Sequence, residues 1–229
     1  MPALIRVGHR GAAAIAPANT FASFDAAIAV GVEMIEFDVL PSREGRELYV
    51  AHDYGALDRH SSPTLEAALA HMSTPAYDGI RLQLDIKRPG LEPRVLAALD
   101  QVGARSRALI STGIWRTLVR FRELAPELKL GWTVPEMPGA LLHPPIAGLY
   151  RRRLPARAAR RIRAGAIDAL VPHWGVVTPA LVEAVRAAGG ELYTWTVDDA
   201  AQIERLRGLG VTGVITNDPR LFAGPPLQL

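Results

Sequence analysis

The chain has 229 residues, 49% of them hydrophobic, with a formal charge of +3 and no cysteine. That size can bury a sizeable core, and the composition excludes disulfides, thiolate metal sites and cysteine nucleophiles. The start Met1-Pro2-Ala3-Leu4 lacks a basic stretch followed by a long apolar run, and no apolar run reaches membrane-spanning length, so a cytoplasmic protein is expected.

Short β-like runs alternate with helical patterns, as expected for parallel strands joined by crossover helices. The first strand is expected over 4–8, then a helix from a cap at Asn19 or Thr20 to about Val30, with Phe21, Phe24, Ala27 and Ile28 on one face and Gly31 at its end. The second strand covers 33–39. After a polar turn over 42–46, residues 47–51 return as an extra strand that delivers His52, and a short helix begins at Pro63-Thr64. The third strand, 81–87, alternates cleanly: Leu82, Leu84 and Ile86 share one face, Gln83, Asp85 and Lys87 the other. Strands four to eight fall over 108–111, 128–133, 169–172, 191–197 and 211–216, with helices to about Val102, over 115–124, over 179–188 and through Leu209.

Eight strand–helix units predict an α/β chain forming a single (β/α)8 TIM barrel over residues 1–229, with a small β-ribbon insertion after strand two. The segment between Pro135 and Gly165 exceeds a plain connection and reads as an elaborated fifth unit. It gathers Arg151, Arg152, Arg153, Arg157, Arg160, Arg161 and Arg163, so the sequence pI of 9.6 reflects a local patch. Aromatic residues do not alternate with these arginines, which argues against nucleic acid as the partner. Weak contact of this segment with an anionic membrane surface is one expectation, and a solvated helix face the other.

Chemistry in such a barrel sits at the C-terminal ends of the strands. His9 and Arg10 end the first, Glu36 and Asp38 lie on the second, Asp85 and Lys87 end the third, and His52 arrives on the ribbon. Glu36 and Asp38 are spaced i, i+2, which turns both to one side of a strand while Ile35, Phe37 and Val39 face the other. Three inward carboxylates repel one another by about 3 kcal/mol per pair at ~5 Å and an effective dielectric of 20. A divalent cation removes that cost, and carboxylates without sulfur suit a hard ion, Mg²⁺ or Ca²⁺.

The ordered series His9-Arg10-Gly11, Pro17-Ala18-Asn19-Thr20, Glu36-x-Asp38, His52-Asp53 with Leu57 and Arg59, Pro63-Thr64-Leu65-Glu66, Asp85-Ile86-Lys87, Trp195-Thr196-Val197-Asp198 and the closing stretch from Gly210 to Pro219 resembles the glycerophosphodiester phosphodiesterase family over nearly the whole chain. The resemblance implies a phospholipase C-like phosphodiesterase barrel, a phosphoric diester hydrolase that converts glycerophosphodiesters to glycerol 3-phosphate and an alcohol with one divalent cation. Carried over by position, it implies His9 and His52 as the acid–base pair. Glu36, Asp38 and Asp85 would be metal ligands, and Arg10 and Lys87 would hold phosphate oxygens. Trp195 reads equally as a cleft wall against the substrate and as barrel packing. Three features depart from the family pattern: Ala18 and Asp85 each stand where it has Glu, and the stretch between Arg59 and Pro63 is short. Two other functions stay open, a lysophospholipase D-type phosphodiesterase acting on lysophospholipids and a barrel that binds phosphoesters without turnover.

Overall fold

A computed structural model describes residues 3–59, 62–135 and 144–223. In chain order the strands are β1 (Ile5–His9), β2 (Met34–Pro41), β3 (Leu48–Val50), β4 (Arg81–Ile86), β5 (Ala108–Thr112), β6 (Lys129–Val134), β7 (Ala169–Pro172), β8 (Glu191–Thr194) and β9 (Gly213–Thr216). All but β3 run parallel, each bonded to the next around a ring that closes where β1 pairs with both β2 and β9. This is the expected eight-stranded barrel, and β3 lies outside it, antiparallel to the end of β2.

The period of two in each strand builds two cores. Outward side chains such as Ile35, Phe37, Val39, Leu82, Leu84 and Val214 enter the large buried layer under the helices. Inward side chains Val7, Met34, Leu109, Ala169, Val171, Tyr193 and Ile215 fill the barrel interior. Phe37 is fully buried, so truncating it to alanine costs about 3–5 kcal/mol. The largest interior side chain, Tyr193, is accommodated by a glycine: a Cβ on Gly213 would lie 2.7 Å from its ring.

The helices are α1 (Phe21–Val30), α2 (Tyr54–Arg59), α3 (Leu65–His71), α4 (Glu92–Gln101), α5 (Trp115–Leu124), α6 (Pro144–Arg163), α7 (Pro179–Ala187) and α8 (Ala200–Leu209). Thr20, not Asn19, caps α1: its side chain accepts from the Ser23 amide while the Ser23 hydroxyl accepts from the Thr20 amide. Gly31 ends that helix in the left-handed conformation. Between β3 and α3 the sequence reading placed no helix, yet α2 forms there, its first turn held by the Asp53 carboxylate accepting from the Ala56 amide at 2.8 Å. The seventh barrel strand is shorter than expected. Regular pairing stops at Thr194, and Trp195 continues only as an isolated bridge to His173. The fifth unit is elaborated as expected, and α6 is 20 residues long. Among the described residues no helix is long and apolar enough to cross a membrane.

Candidate active site

Register assembles the site. His9 pairs with Glu36 across β1 and β2, Asp38 pairs with Asp85 across β2 and β4, and Asp85 pairs with Ser111 across β4 and β5. Inward residues near the ends of adjacent strands therefore converge on one cleft of about 230 Å³, walled by His9, Arg10, His52, Lys87, Thr133 and Trp195 above the carboxylates. All eight side chains expected from the sequence line it.

The first turn after β1 is forced tight by its glycines. A Cβ on Gly8 would lie 2.2 Å from the Gly11 carbonyl oxygen, so no other residue fits there. The chain then turns through Arg10 with φ 53°, a left-handed conformation that side-chain-bearing residues seldom adopt. That turn aims the Arg10 amide at Glu36 Oε2, 3.0 Å away, and its Nε at Asp38 Oδ2, also 3.0 Å away.

One oxygen from each of Glu36, Asp38 and Asp85 lies within 4.8 Å of the others. Lys87 meets this cluster directly, its Nζ 2.6 Å from Asp38 Oδ1 and 2.5 Å from Asp85 Oδ2. Burial opposes charge on Lys87, but Asp85 and Asp38 outweigh it and hold the ammonium above its usual range. Burial likewise disfavours charge on Asp38, yet Lys87 and Arg10 outweigh it and hold the carboxyl low. At Glu36 the same two cations do not outweigh burial. Burial, reinforced by the neighbouring Asp38 charge, pushes its carboxyl up to about 8. Asp85 Oδ1 accepts from the Ser111 and Thr133 hydroxyls at 2.9 and 3.1 Å, and Gln83 donates to Ser111 at 3.1 Å. Three converging carboxylates, one of them raised in pKa, fit a hard divalent cation.

The histidines differ in setting. His9 is largely enclosed, and burial together with the Arg10 charge pulls its pKa down to about 4, so it is neutral near pH 7. Its Nδ1 lies 2.7 Å from Asn217 Oδ1. The other end of that amide donates to Asp198 Oδ2 at 2.6 Å, which turns the carbonyl toward His9. His9 therefore carries its proton on Nδ1, and bare Nε2 faces the cleft, 3.8 Å from Glu36 Oε2. His52, which follows β3, also lines the cleft, with 44% of its side chain exposed and its Nδ1 3.0 Å from Asp53 Oδ2. Trp195 lines the cleft and packs against the interior core, and its indole donates to the Val171 carbonyl at 3.0 Å.

Several site residues escaped the sequence reading, the Ser111 and Thr133 hydroxyls on Asp85 among them. Asn19, taken there as a capping candidate, has φ 62° and clamps Asp38: its amide donates to Oδ2 at 2.9 Å and its carbonyl accepts from the Asp38 amide at 3.3 Å. An asparagine in a turn is the signal, because Asn tolerates that backbone conformation. Asp198 and Asn217, which fall within the quoted motifs but carried no assigned role, are the pair that orients His9.

Two histidines, a carboxylate cluster, an arginine and a lysine lining one cleft at the end of a barrel are the parts of a hydrolase built for an anionic ester. The family is specific: the model of the glycerophosphoryl diester phosphodiesterase family matches residues 9–73 and 56–221, and the chain belongs to it. A glycerophosphodiester phosphodiesterase of Caldanaerobacter subterraneus is 28% identical over 246 residues, covering 93% of each chain. One of Bacillus subtilis is 25% identical over 267 residues, covering 96% of this chain and 85% of its own. Among solved structures, the glycerophosphodiester phosphodiesterase of Thermotoga maritima superposes with a TM-score of 0.73 at 21% identity, covering 97% of this chain and 98% of that one. A phosphodiesterase of Oleispira antarctica, solved in complex with the product sn-glycerol-3-phosphate, gives 0.72 at 23% identity over 94% of each chain. Likeness at that identity is likeness of fold, and the family membership makes the protein a phosphoric diester hydrolase.

Proposed function

We propose that the protein hydrolyses glycerophosphodiesters to glycerol 3-phosphate and an alcohol, with His9 as general base, His52 as general acid and a divalent cation, Mg²⁺ or Ca²⁺, held by Glu36, Asp38 and Asp85. The observation that carries this reading is the bare Nε2 of a neutral His9 in the same cleft as the carboxylate-backed His52. When bound, the cation would neutralise the phosphate and stabilise charge built up as phosphorus is attacked.

His9 Nε2 takes the proton from the attacking water as its oxygen bonds to phosphorus. His52 protonates the departing alkoxide as the P–O bond to the alcohol breaks, its ring oriented by the Asp53 carboxylate at Nδ1. The proton gained by His9 and the one lost by His52 re-equilibrate through solvent, so the net reaction consumes one water. Arg10 and Lys87 contribute fixed positive charge beside the non-bridging oxygens, and Trp195 walls the substrate on the β8 side. The Oleispira antarctica structure, with its sn-glycerol-3-phosphate, supports the product assignment. The test is turnover of a panel of glycerophosphodiesters and lysophospholipids, with and without chelator. Chelator-sensitive release of glycerol 3-phosphate is expected, and turnover indifferent to chelation would remove the cation from the mechanism.

A further inference from the structure

The described residues contain six exposed large apolar side chains: Ile15, Phe21, Val119, Leu124, Leu149 and Trp174. In this barrel the loops after strands and the first turns of the following helices all lie at the C-terminal rim, where the cleft opens. Ile15, 40% exposed, is in the loop after β1, Phe21 opens α1, and Trp174, 38% exposed, follows β7. The β1 loop is unusual in composition, since residues 11–18 read Gly-Ala-Ala-Ala-Ile-Ala-Pro-Ala without one polar side chain. A loop beside a polar cleft is ordinarily polar.

Leu149, 47% exposed, belongs to the same end of the molecule because of the length of α6. Helices α1, α4, α5 and α8 have ten residues each, about 15 Å of rise, whereas α6 has 20, about 30 Å. Near its end Ile162 packs against Gly190, at the foot of the barrel where β8 begins. Arg152, ten residues upstream, is therefore about 15 Å higher, near the rim. No Asp or Glu occurs between Glu136 and Asp168. Arg157 and Arg161 are drawn over the rings of Trp132 and Trp115, Arg161 at 3.6 Å from the Trp115 centroid. Arg151, Arg152 and Arg153 are exposed, and no carboxylate among the described residues pairs with them.

We propose that this rim is a docking surface for anionic lipid membranes, and that a phosphodiester carried on a lipid enters the cleft from the membrane. Ile15, Leu149 and Trp174 supply the apolar and aromatic contacts of an interfacial site, and the three arginines supply charge complementary to lipid phosphates. Lipid fits better than a nucleic acid, because apolar side chains and not stacking aromatics accompany the arginines. The proposal rests on the cleft being the substrate entrance, and it adds lysophospholipid-like diesters, which would leave lysophosphatidate and an alcohol, to the water-soluble glycerophosphodiesters the cleft takes.

Vesicle flotation with the full chain, in chelator and at physiological ionic strength, tests it without requiring turnover. Wild-type protein is expected to float with vesicles of phosphatidylcholine and phosphatidylglycerol and to stay behind with phosphatidylcholine alone. The triple variant Arg151→Gln, Arg152→Gln, Arg153→Gln should partition roughly a hundredfold more weakly, the weight of three arginines at an anionic surface. Ile15→Asp should also weaken binding, and both variants should keep wild-type turnover of a water-soluble glycerophosphodiester. Equal flotation with neutral vesicles, a triple variant that floats like wild type, or retention by RNA in preference to vesicles would each overturn the proposal. Because flotation does not depend on chemistry, failure of the hydrolytic reading would appear separately, in the soluble assay.

Discussion

The 2.7 Å contact between His9 Nδ1 and Asn217 Oδ1 decides which side of the imidazole is available for chemistry. Asn217 is itself fixed by Asp198, which accepts from its side-chain amide at 2.6 Å and from its backbone amide at 2.8 Å. A carboxylate thus orients an amide, the amide orients an imidazole, and the lone pair left over is on Nε2, beside Glu36 in the cleft.

Asn217→Leu removes the acceptor and frees His9 to rotate or change tautomer. The expected loss in kcat is about 10- to 100-fold, the scale seen when partners that orient metal-bound histidines are removed, with KM nearly unchanged. Asn217→Asp alone would set two carboxylates against each other, whereas the exchange Asn217→Asp with Asp198→Asn restores a donor facing an acceptor and should recover much of the rate. Nitrogen chemical shifts of His9 report the tautomer directly. A wild-type protein protonated on Nε2 would remove the premise.

On the proposed mechanism, in which each histidine makes one proton transfer in the same displacement, His9→Ala and His52→Ala should each lower kcat by at least about a hundredfold. The double variant should lose far less than the product of the two single losses, as groups acting together do. Circular dichroism and cation binding serve as controls for fold and site. If either single variant retained near-wild-type kcat on the best substrate, that histidine would be structural.

The raised pKa of Glu36 couples cation binding to pH. Below about 8 the metal-free site keeps a proton on Glu36, and a cation taking that carboxylate must expel it. Apparent affinity for Mg²⁺ or Ca²⁺ should therefore rise with pH, by at most about tenfold per unit, and level off above 8. Chelated protein should show the converse in stability. Glu36 binds its proton more tightly folded than unfolded, so its contribution is present at low pH and is lost as pH rises through 8. His9, depressed to about 4, has the opposite sign between 4 and 6.5, so the Glu36 effect stands alone from about 6.5 to 8. Titration calorimetry and thermal melts at several pH values check both trends, and Glu36→Gln should weaken cation binding and flatten its pH dependence.

What the sequence revealed followed from short-range periodicity. Glu36 and Asp38 were legible because alternation along one strand puts them together and sends Ile35, Phe37 and Val39 to the opposite core. Helix α5 was legible to the residue, since its boundaries need no distant partner. Helix α2 was not, because six residues containing a glycine carry little helical signal and the Asp53 cap is visible only once the turn exists. Asn217 stands 208 positions from His9, and the two meet only because β9 pairs with β1 to close the barrel. No local pattern marks such a partner.

Asn19 offers a way to separate backbone fit from site chemistry. Its φ of 62° favours glycine or asparagine, and its side chain also binds Asp38 from both sides of the amide. Asn19→Gly keeps the backbone conformation and deletes the clamp, while Asn19→Ala deletes the clamp and adds the left-handed penalty of a Cβ, about 1 kcal/mol. Urea titration should therefore rank alanine below glycine in stability by about that amount. Cation affinity should fall alike in both, by about 10- to 100-fold, because each frees the same ligand from the same partner. Asn19→Asp should be poorer than either in the metal-free protein, since it sets a carboxylate beside buried Asp38. If Asn19→Gly bound the cation as tightly as wild type, Asp38 would be held sufficiently by Lys87 and Arg10, and Asn19 would serve only the turn that leads into α1.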